Sequence, residues 1–227
     1  MNEYPRKHPT DILKENIGTF AVAAVIYYLV NGVVGQNQDG GIIVSTIIMF
    51  ISAVISASSA NFYFRAVHRG RPDINDMYNI FTDNNTLMPL MSIIVAKFLI
   101  DAIINTALTV LAFIPVINAV SVIASMIVSM LFIPVYFLFV ANPHYETVYY
   151  FKASVKYMQG NLLKYIGLVL LHIVPMVMSL VVMIFGLLGR ILGLLLELYF
   201  MCLLDLYIAD FISKIIPDEW YTGTAVF

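Results

Sequence analysis

Six long stretches with almost no charged residues constrain this chain more than any other feature. About 20 mostly apolar residues are needed for a helix to cross the hydrocarbon core of a bilayer, and these stretches are far too long for barrel strands. The chain is 61% hydrophobic and 11% charged, whereas soluble domains are about 45–50% apolar and about 25% charged. We therefore predict an all-α polytopic membrane protein with one integral membrane domain. The predicted spans are 17–35, 42–64, 98–117, 119–141, 165–185 and 187–212.

The distribution of basic residues predicts the orientation of these spans. All but two of the 12 lysines and arginines fall in the tails 1–16 and 213–227 or in the joints after the second and fourth spans. Arg190 lies on the opposite side, and Lys97 lies just inside the third span. Because loops rich in lysine and arginine stay in the cytoplasm, both tails and both longer joints are predicted to be cytoplasmic.

The joint "ETVYYFKASVKYMQGN" (146–161) carries a helical stripe between two apolar spans. Its apolar positions recur at steps of three and four, which is typical of one helix face. The stripe is Val148, Phe151, Val155, Met158 and Leu162, with Lys152 and Lys156 beside it. Such a helix either lies in the membrane interface, with its lysines toward lipid head groups, or packs on the cytoplasmic ends of the spans. Both alternatives remain open at this point.

The joint after the second span repeats the arrangement. Ile74, Met77, Tyr78 and Phe81 occupy one helix face. The preceding Pro72 and Asp73 suit a helix start. The sequence therefore predicts a second cytoplasmic amphipathic helix.

Four short motifs carry a resemblance to a known family. They are "LKENIGTF", "RAVHRGRPDINDMYNIF", "FIPVIN" and "ANPHYETVYYFKASVKYMQGN". Together they resemble an uncharacterised family of polytopic membrane proteins of Gram-positive bacteria, known as a domain of unknown function. The matching positions include Asn142, Pro143, Ser154, Lys156, Met158, Gly160 and Asn161, whereas Val116 replaces the usual glycine. The resemblance implies six membrane-spanning helices in a bacterial plasma membrane and implies no activity.

Ionisable residues inside the spans are the candidate site, because such residues are costly in a bilayer. Lys97 and Asp101 are spaced to pair on one helix. They lie near the cytoplasmic interface if the third span begins at Phe98, or deep in the bundle if it begins near Met88. In the sixth span, Glu197 is predicted to pair with His172 or Arg190.

Two acidic residues and two small-residue stripes complete the polar pattern of the spans. Asp205 and Asp210 are expected to approach the cytoplasmic end of the sixth span. The stripes, whose small residues let helices approach closely, are Ser52, Ser56 and Ala60 in the second span and Gly189 and Gly193 in the sixth.

The sequence contains no specific catalytic motif. It has no paired-histidine helix, phosphate-binding glycine loop or nucleophile elbow. We therefore expect no cofactor, no metal and no nucleic-acid partner, and we expect membrane lipids and another membrane protein as contacts. The leading hypothesis is a non-enzymatic accessory, immunity-type or envelope-associated protein. The alternative is a small transporter or lipid-handling protein that uses the buried charges, and a polar, water-accessible cavity around His172 and Glu197 would favour it.

Overall fold

The computed structural model describes residues 7–35, 41–82, 84–111 and 115–223, and these residues form helices and short connections, without a β-strand among them. The α-helices are α1 (Pro9–Glu15), α2 (Ile17–Gly35), α3 (Gly41–Arg69), α4 (Asn84–Leu111), α5 (Pro115–Leu131), α6 (Pro134–Ala141), α7 (Thr147–Gln159), α8 (Leu162–Val182), α9 (Gly186–Ile215) and α10 (Asp218–Thr222). The predicted all-α class is confirmed.

Five helical segments of the described residues are long and apolar enough to cross a membrane. They are Thr46–Arg69, Asn85–Ile104, Ile123–Ala141, Leu162–Val182 and Gly186–Ile215. The helices α1 and α2 meet at a 94° bend, and together they make a sixth segment if the bent pair is one span. The structure therefore has five to six helices that could span a bilayer.

The predicted third span, 98–117, begins too late. The helix α4 begins at Asn84 and passes through Phe98 without interruption. Pro89 lies inside this helix, and proline is tolerated in membrane helices when neighbouring groups satisfy the freed backbone. Of the predicted range, residues 112–114 lie outside the described residues, and residues 115–117 belong to α5.

The predicted fourth span, 119–141, is two helices rather than one. The α-helical pattern is interrupted at Phe132 and Ile133, between α5 and α6. Pro134 begins α6 and has no N–H to donate, so the ladder of backbone hydrogen bonds cannot continue unchanged across this position. The chain nevertheless remains one apolar segment from Ile123 to Ala141.

Most of the large, fully buried side chains gather at one end of the bundle. We call this the loop end; it holds α1, the segment 70–82, α7 and α10. Trp220, Tyr150, Leu138 and Phe139 are almost completely buried there. By contrast, the half of the α8–α9 hairpin farthest from this end exposes most of its apolar side chains.

The helix α7 confirms a helix in the joint 146–161 but buries a different face from the predicted stripe. Its fully buried residues are Tyr150, Ala153, Ser154 and Met158. Val148 is 58% exposed, and Phe151 and Val155 are half-buried. Tyr150 and Ser154 bind backbone carbonyls, which draws their face inward. One face of α7 therefore packs on the bundle, and an apolar edge with Lys152 and Lys156 nearby remains exposed; contact of that edge with lipid stays a prediction.

The predicted amphipathic α-helix at 74–81 is wrong. The segment forms two short 3-10 helices, Ile74–Met77 and Asn79–Phe81. The Asp73 side chain accepts a hydrogen bond from the Asn75 backbone amide at 2.9 Å, as expected for a helix start. The helix does not extend because the backbone carbonyls of Asp76 and Met77 instead accept hydrogen bonds from α3 side chains.

The small-residue prediction for the sixth span is confirmed. A Cβ atom added at Gly193 would lie 2.7 Å from the Ser179 carbonyl oxygen, and one added at Gly189 would collide with the Val182 carbonyl. Such distances are shorter than any ordinary contact. The two glycines therefore allow α8 and α9 to approach closely.

Candidate intramembrane site

A cavity of about 700 Å³ is lined by residues of α2, α3, α4, α5, α6, α8 and α9, and it reaches the bundle surface, where Ser56 and Ser129 of its lining are exposed. Its volume is within the range of small-molecule sites, about 300–1,000 Å³. Most of its wall is apolar, but side chains from seven helices bring polar atoms to it. These are Tyr27, Ser52, Ser56, Ser59, Tyr63, Lys97, Ser125, Ser129, Tyr136, Tyr165 and Asp205. We call this the polar cavity.

Asp205 on α9 is the acidic residue of the polar cavity. Tyr63 of α3 lines the same cavity and is a polar neighbour of its carboxylate. Ten residues separate Asp205 from Ile215 at the end of α9, which corresponds to about 15 Å of helix. Asp205 therefore lies within the part of α9 that is long and apolar enough to cross a membrane, where a charge is costly and is usually functional.

Lys97 brings a second charge to the cavity wall, and Asp101 neutralises it. The Lys97 Nζ lies 2.7 Å from Asp101 Oδ2, one helical turn along α4. Because α4 begins at Asn84, Lys97 lies about 20 Å along the helix. The predicted i, i+4 pair is thus present, and the helix that carries it begins well before Phe98; the depth of the pair in the membrane stays a prediction.

The small-residue stripe of α3 lines the cavity. Ser52, Ser56 and Ala60 all contact it, together with Ser59. The Ser56 hydroxyl donates to the Ser52 carbonyl at 2.9 Å, so part of its hydrogen-bonding capacity is used within α3. Ala60 is also buried in the core, so the stripe combines a packed position with two serines at the cavity wall.

The interruption between α5 and α6 borders the same cavity. Phe132 and Ile133 line it, and Ser154 of α7 donates to the Leu131 carbonyl at 2.6 Å. This hydrogen bond satisfies a backbone group that a continuous helix would have used internally. In α6 the Tyr136 hydroxyl is buried and has no hydrogen-bond partner among the described residues. Irregular backbone at membrane depth is tolerated where it is buried in protein or lines a cavity.

The predicted pairing of Glu197 with His172 or Arg190 is not present in the described part of the chain. His172 is buried, its Nδ1 lies 2.8 Å from the Leu168 carbonyl, and its ring contacts Tyr207 at 4.7 Å. The α8–α9 register explains this arrangement, because Tyr207 is ten residues from Glu197, about 15 Å along α9. Glu197 is half-buried, Arg190 is exposed, and neither lines the polar cavity.

The motif residues after α3 form a structural network. The Asp76 carboxylate is almost fully buried and pairs with Arg69 at 2.8 Å and with Arg65 at 3.4 Å. Burial raises the pKa of Asp76, and the two arginines oppose that shift. Asn61 and Ser58 donate to the Asp76 and Met77 carbonyls, at 2.6 and 2.5 Å. This network fastens the segment 70–82 to α3.

The motif residues before α8 anchor the C-terminal helix. The Trp220 ring is buried between Tyr145 and Tyr150, and its Nε1 donates to the Leu138 carbonyl at 2.9 Å. The Tyr150 hydroxyl donates to the Asn142 carbonyl at 2.9 Å. Burial also raises the pKa of nearby Tyr157 to about 12, so this hydroxyl stays protonated at neutral pH.

Comparisons with family models, with curated proteins and with solved structures give no match to this chain. The resemblance stated from the four motifs therefore remains a prediction. In the described ranges, no three His, Cys, Asp or Glu side chains lie close enough to hold a metal ion.

Sequence reasoning missed the two residues at the centre of the cavity. It placed Asp205 near the membrane surface because it ended the sixth span at 212, whereas α9 continues to Ile215. A carboxylate ten residues inside a continuous apolar helix was the available signal. Tyr63 gave no signal, since a tyrosine near the end of an apolar segment is typical of membrane interfaces.

Proposed function

We propose that this chain is a multi-pass protein of the bacterial plasma membrane, with six spans and with the loop end in the cytoplasm. The bent pair α1–α2 supplies the first span. Basic residues support the orientation, because Arg65, Arg69, Arg71, Lys152 and Lys214 all lie at the loop end. Cytoplasmic loops are enriched in lysine and arginine.

Cysteine labelling tests this topology. In a Cys202→Ala background, a cysteine at Gln38 should react with an impermeant thiol reagent added to intact cells, and a cysteine at Gln159 should react only after the cells are opened. Reaction at position 159 in intact cells would reverse the orientation.

We further propose that the protein binds a small molecule in the polar cavity and moves it across the membrane, as a small transporter or lipid-handling protein. The observation that carries this proposal is the Asp205 side chain, which lines a cavity of about 700 Å³ together with Tyr63 and other polar residues of the apolar bundle. A protein that acted only as a scaffold would gain nothing from a costly carboxylate beside unfilled space.

The interrupted span supports movement of the ligand. Transporters commonly place their substrate sites beside discontinuous helices near the middle of the membrane. Here the interruption at Phe132 and Ile133 borders the polar cavity.

Access from both sides of the membrane tests transport without knowledge of the substrate. A Ser59→Cys variant in the Cys202→Ala background should react with an impermeant methanethiosulfonate in right-side-out vesicles and also in inside-out vesicles. A Leu99→Cys control, on an exposed apolar face of α4, should react in neither. Reaction of position 59 from one side alone would indicate a binding pocket without transport, and reaction from neither side would refute both.

One observation favours the accessory function as a second candidate. The half of the α8–α9 hairpin farthest from the loop end exposes many apolar side chains, among them Leu171, Ile184 and Leu188. A partner membrane protein would find a continuous apolar surface there. Substitution of Leu171 and Leu188 with tryptophan should disrupt an accessory role and leave the reactivity of a cysteine at position 59 unchanged.

A further inference from the structure

The charges that face the polar cavity do not cancel. Lys97 is the basic residue of its lining, and Asp101 holds the ammonium group at 2.7 Å. This pair is neutral as a unit. Asp205 is the acidic residue of the lining and lies on a different helix.

Asp205 has no cationic partner among the residues that the structure describes. The Tyr63 hydroxyl, which lines the same cavity, is the polar neighbour of its carboxylate. A hydroxyl satisfies part of the hydrogen-bonding capacity of a carboxylate but contributes no positive charge. An ionised Asp205 therefore leaves the cavity with one net negative charge at membrane depth.

The rest of the cavity wall is aromatic and apolar, which suits an organic ligand better than a bare metal ion. Tyr27, Tyr136 and Tyr165 bring aromatic rings to the cavity, and Leu198 and Met201 bring apolar surface. A cation is attracted to the faces of aromatic rings, and this attraction increases when water is excluded.

We infer that the polar cavity selects a monovalent organic cation, with its charge beside Asp205 and its apolar body against the tyrosines. This inference rests on the proposed function and names the substrate class for the same site. The alternative that the cavity takes an anion on Lys97 requires the pair with Asp101 to break, which would leave a second unpaired carboxylate in the bundle.

Two probes of the same shape and opposite charge test the inference. Full-length protein in phosphatidylcholine nanodiscs is equilibrated with radiolabelled tetraphenylphosphonium or with tetraphenylborate, and binding to empty nanodiscs is subtracted. We expect saturable binding of the phosphonium and none of the borate. Equal binding of both probes, or preference for the borate, would overturn the inference.

Charge variants assign the effect to Asp205. The Asp205→Asn variant should bind tetraphenylphosphonium about tenfold more weakly or worse, because it removes the charge and keeps the shape. The Asp205→Glu variant should retain binding. The Glu197→Gln variant is the matched control, since it removes a carboxylate from the same helix outside the cavity, and it should bind as the unchanged protein does. Unchanged binding by Asp205→Asn would contradict the inference.

A variant that gains binding of the anionic probe distinguishes a change of charge in the cavity from a loss of folded protein. The Asp101→Asn variant frees the charge of Lys97, so it should weaken phosphonium binding and create borate binding. A general loss of fold cannot produce that gain.

The failure of this inference can be told apart from the failure of the proposed function. If cysteine at position 59 reacts from both sides while the phosphonium is not selected over the borate, the transport proposal stands and the cation inference falls. If position 59 reacts from neither side, the proposed function falls with it.

Discussion

The side-chain amide of Asn142 donates to the backbone carbonyl of Trp220 at 2.9 Å, across 78 residues of sequence. The Asn142 Oδ1 also accepts from the His144 amide at 3.1 Å. One side chain therefore joins the end of α6, the start of the joint before α7, and the C-terminal helix α10. The sequence motif that begins at Asn142 therefore has a structural role, because its hydrogen bonds hold these three segments together.

Trp220 is the only tryptophan in the chain, so its fluorescence reports directly on these hydrogen bonds. Asn142→Ala should expose the Trp220 indole to water, shift its fluorescence to longer wavelength and raise its quenching by iodide. Trp220→Ala should lower the free energy of unfolding by about 3–5 kcal/mol, as loss of a large buried aromatic residue does. Unchanged emission in Asn142→Ala would show that the hydrogen bond does not hold α10 in place.

The network around Asp76 predicts local loosening after its loss. Asp76→Ala should lower the free energy of unfolding by about 1–3 kcal/mol, because it removes charged hydrogen bonds to Arg65 and Arg69 that are themselves partly exposed to water. Hydrogen exchange should increase over 70–82. Asp218→Ala, at an exposed position, should stay within about 0.5 kcal/mol of the unchanged protein. Equal exchange over 70–82 in the two variants would argue against the network.

The close approach of α8 and α9 predicts opposite results for two glycines. Gly193→Ala should lower the free energy of unfolding by about 1–3 kcal/mol, because its Cβ would lie 2.7 Å from the Ser179 carbonyl oxygen. Gly167→Ala is the matched control, since open space surrounds that position, and it should be neutral or slightly stabilising. Thermal unfolding in detergent compares them, and equal melting temperatures would contradict the packing.

The exposed edge of α7 predicts contact with lipid. A bimane label on Val148→Cys in the Cys202→Ala background should be quenched by brominated phospholipid, because Val148 is apolar and 58% exposed. A label on Lys152→Cys, which lies on the same helix, should be quenched less. Equal quenching at both positions would mean that α7 presents no particular edge to the membrane.

Pattern in the sequence predicts the helical class and most of the spans, because the cost of unpaired backbone groups in lipid leaves few alternatives. It also predicts the pair of Lys97 and Asp101, because residues four positions apart are neighbours on one face of a helix. The sequence pattern fails for Glu197 and His172, because contact between two helices depends on their register. The register of α8 and α9 depends on the close approach of Gly193 to Ser179, which spacing along the sequence does not reveal. The pattern also cannot distinguish a serine stripe that packs from one that lines a cavity.

Water at the wall of the polar cavity can be detected by comparison of two adjacent positions on α3. Ser52 lines the polar cavity, and Ile51 has an exposed apolar side chain. Each is replaced by cysteine in the Cys202→Ala background, labelled with a nitroxide, reconstituted in lipid and measured in deuterated water by electron spin echo modulation. We expect strong deuterium modulation at position 52 and little at position 51. Equally weak modulation at both would show that the bundle is dry and that Asp205 faces no water-accessible cavity.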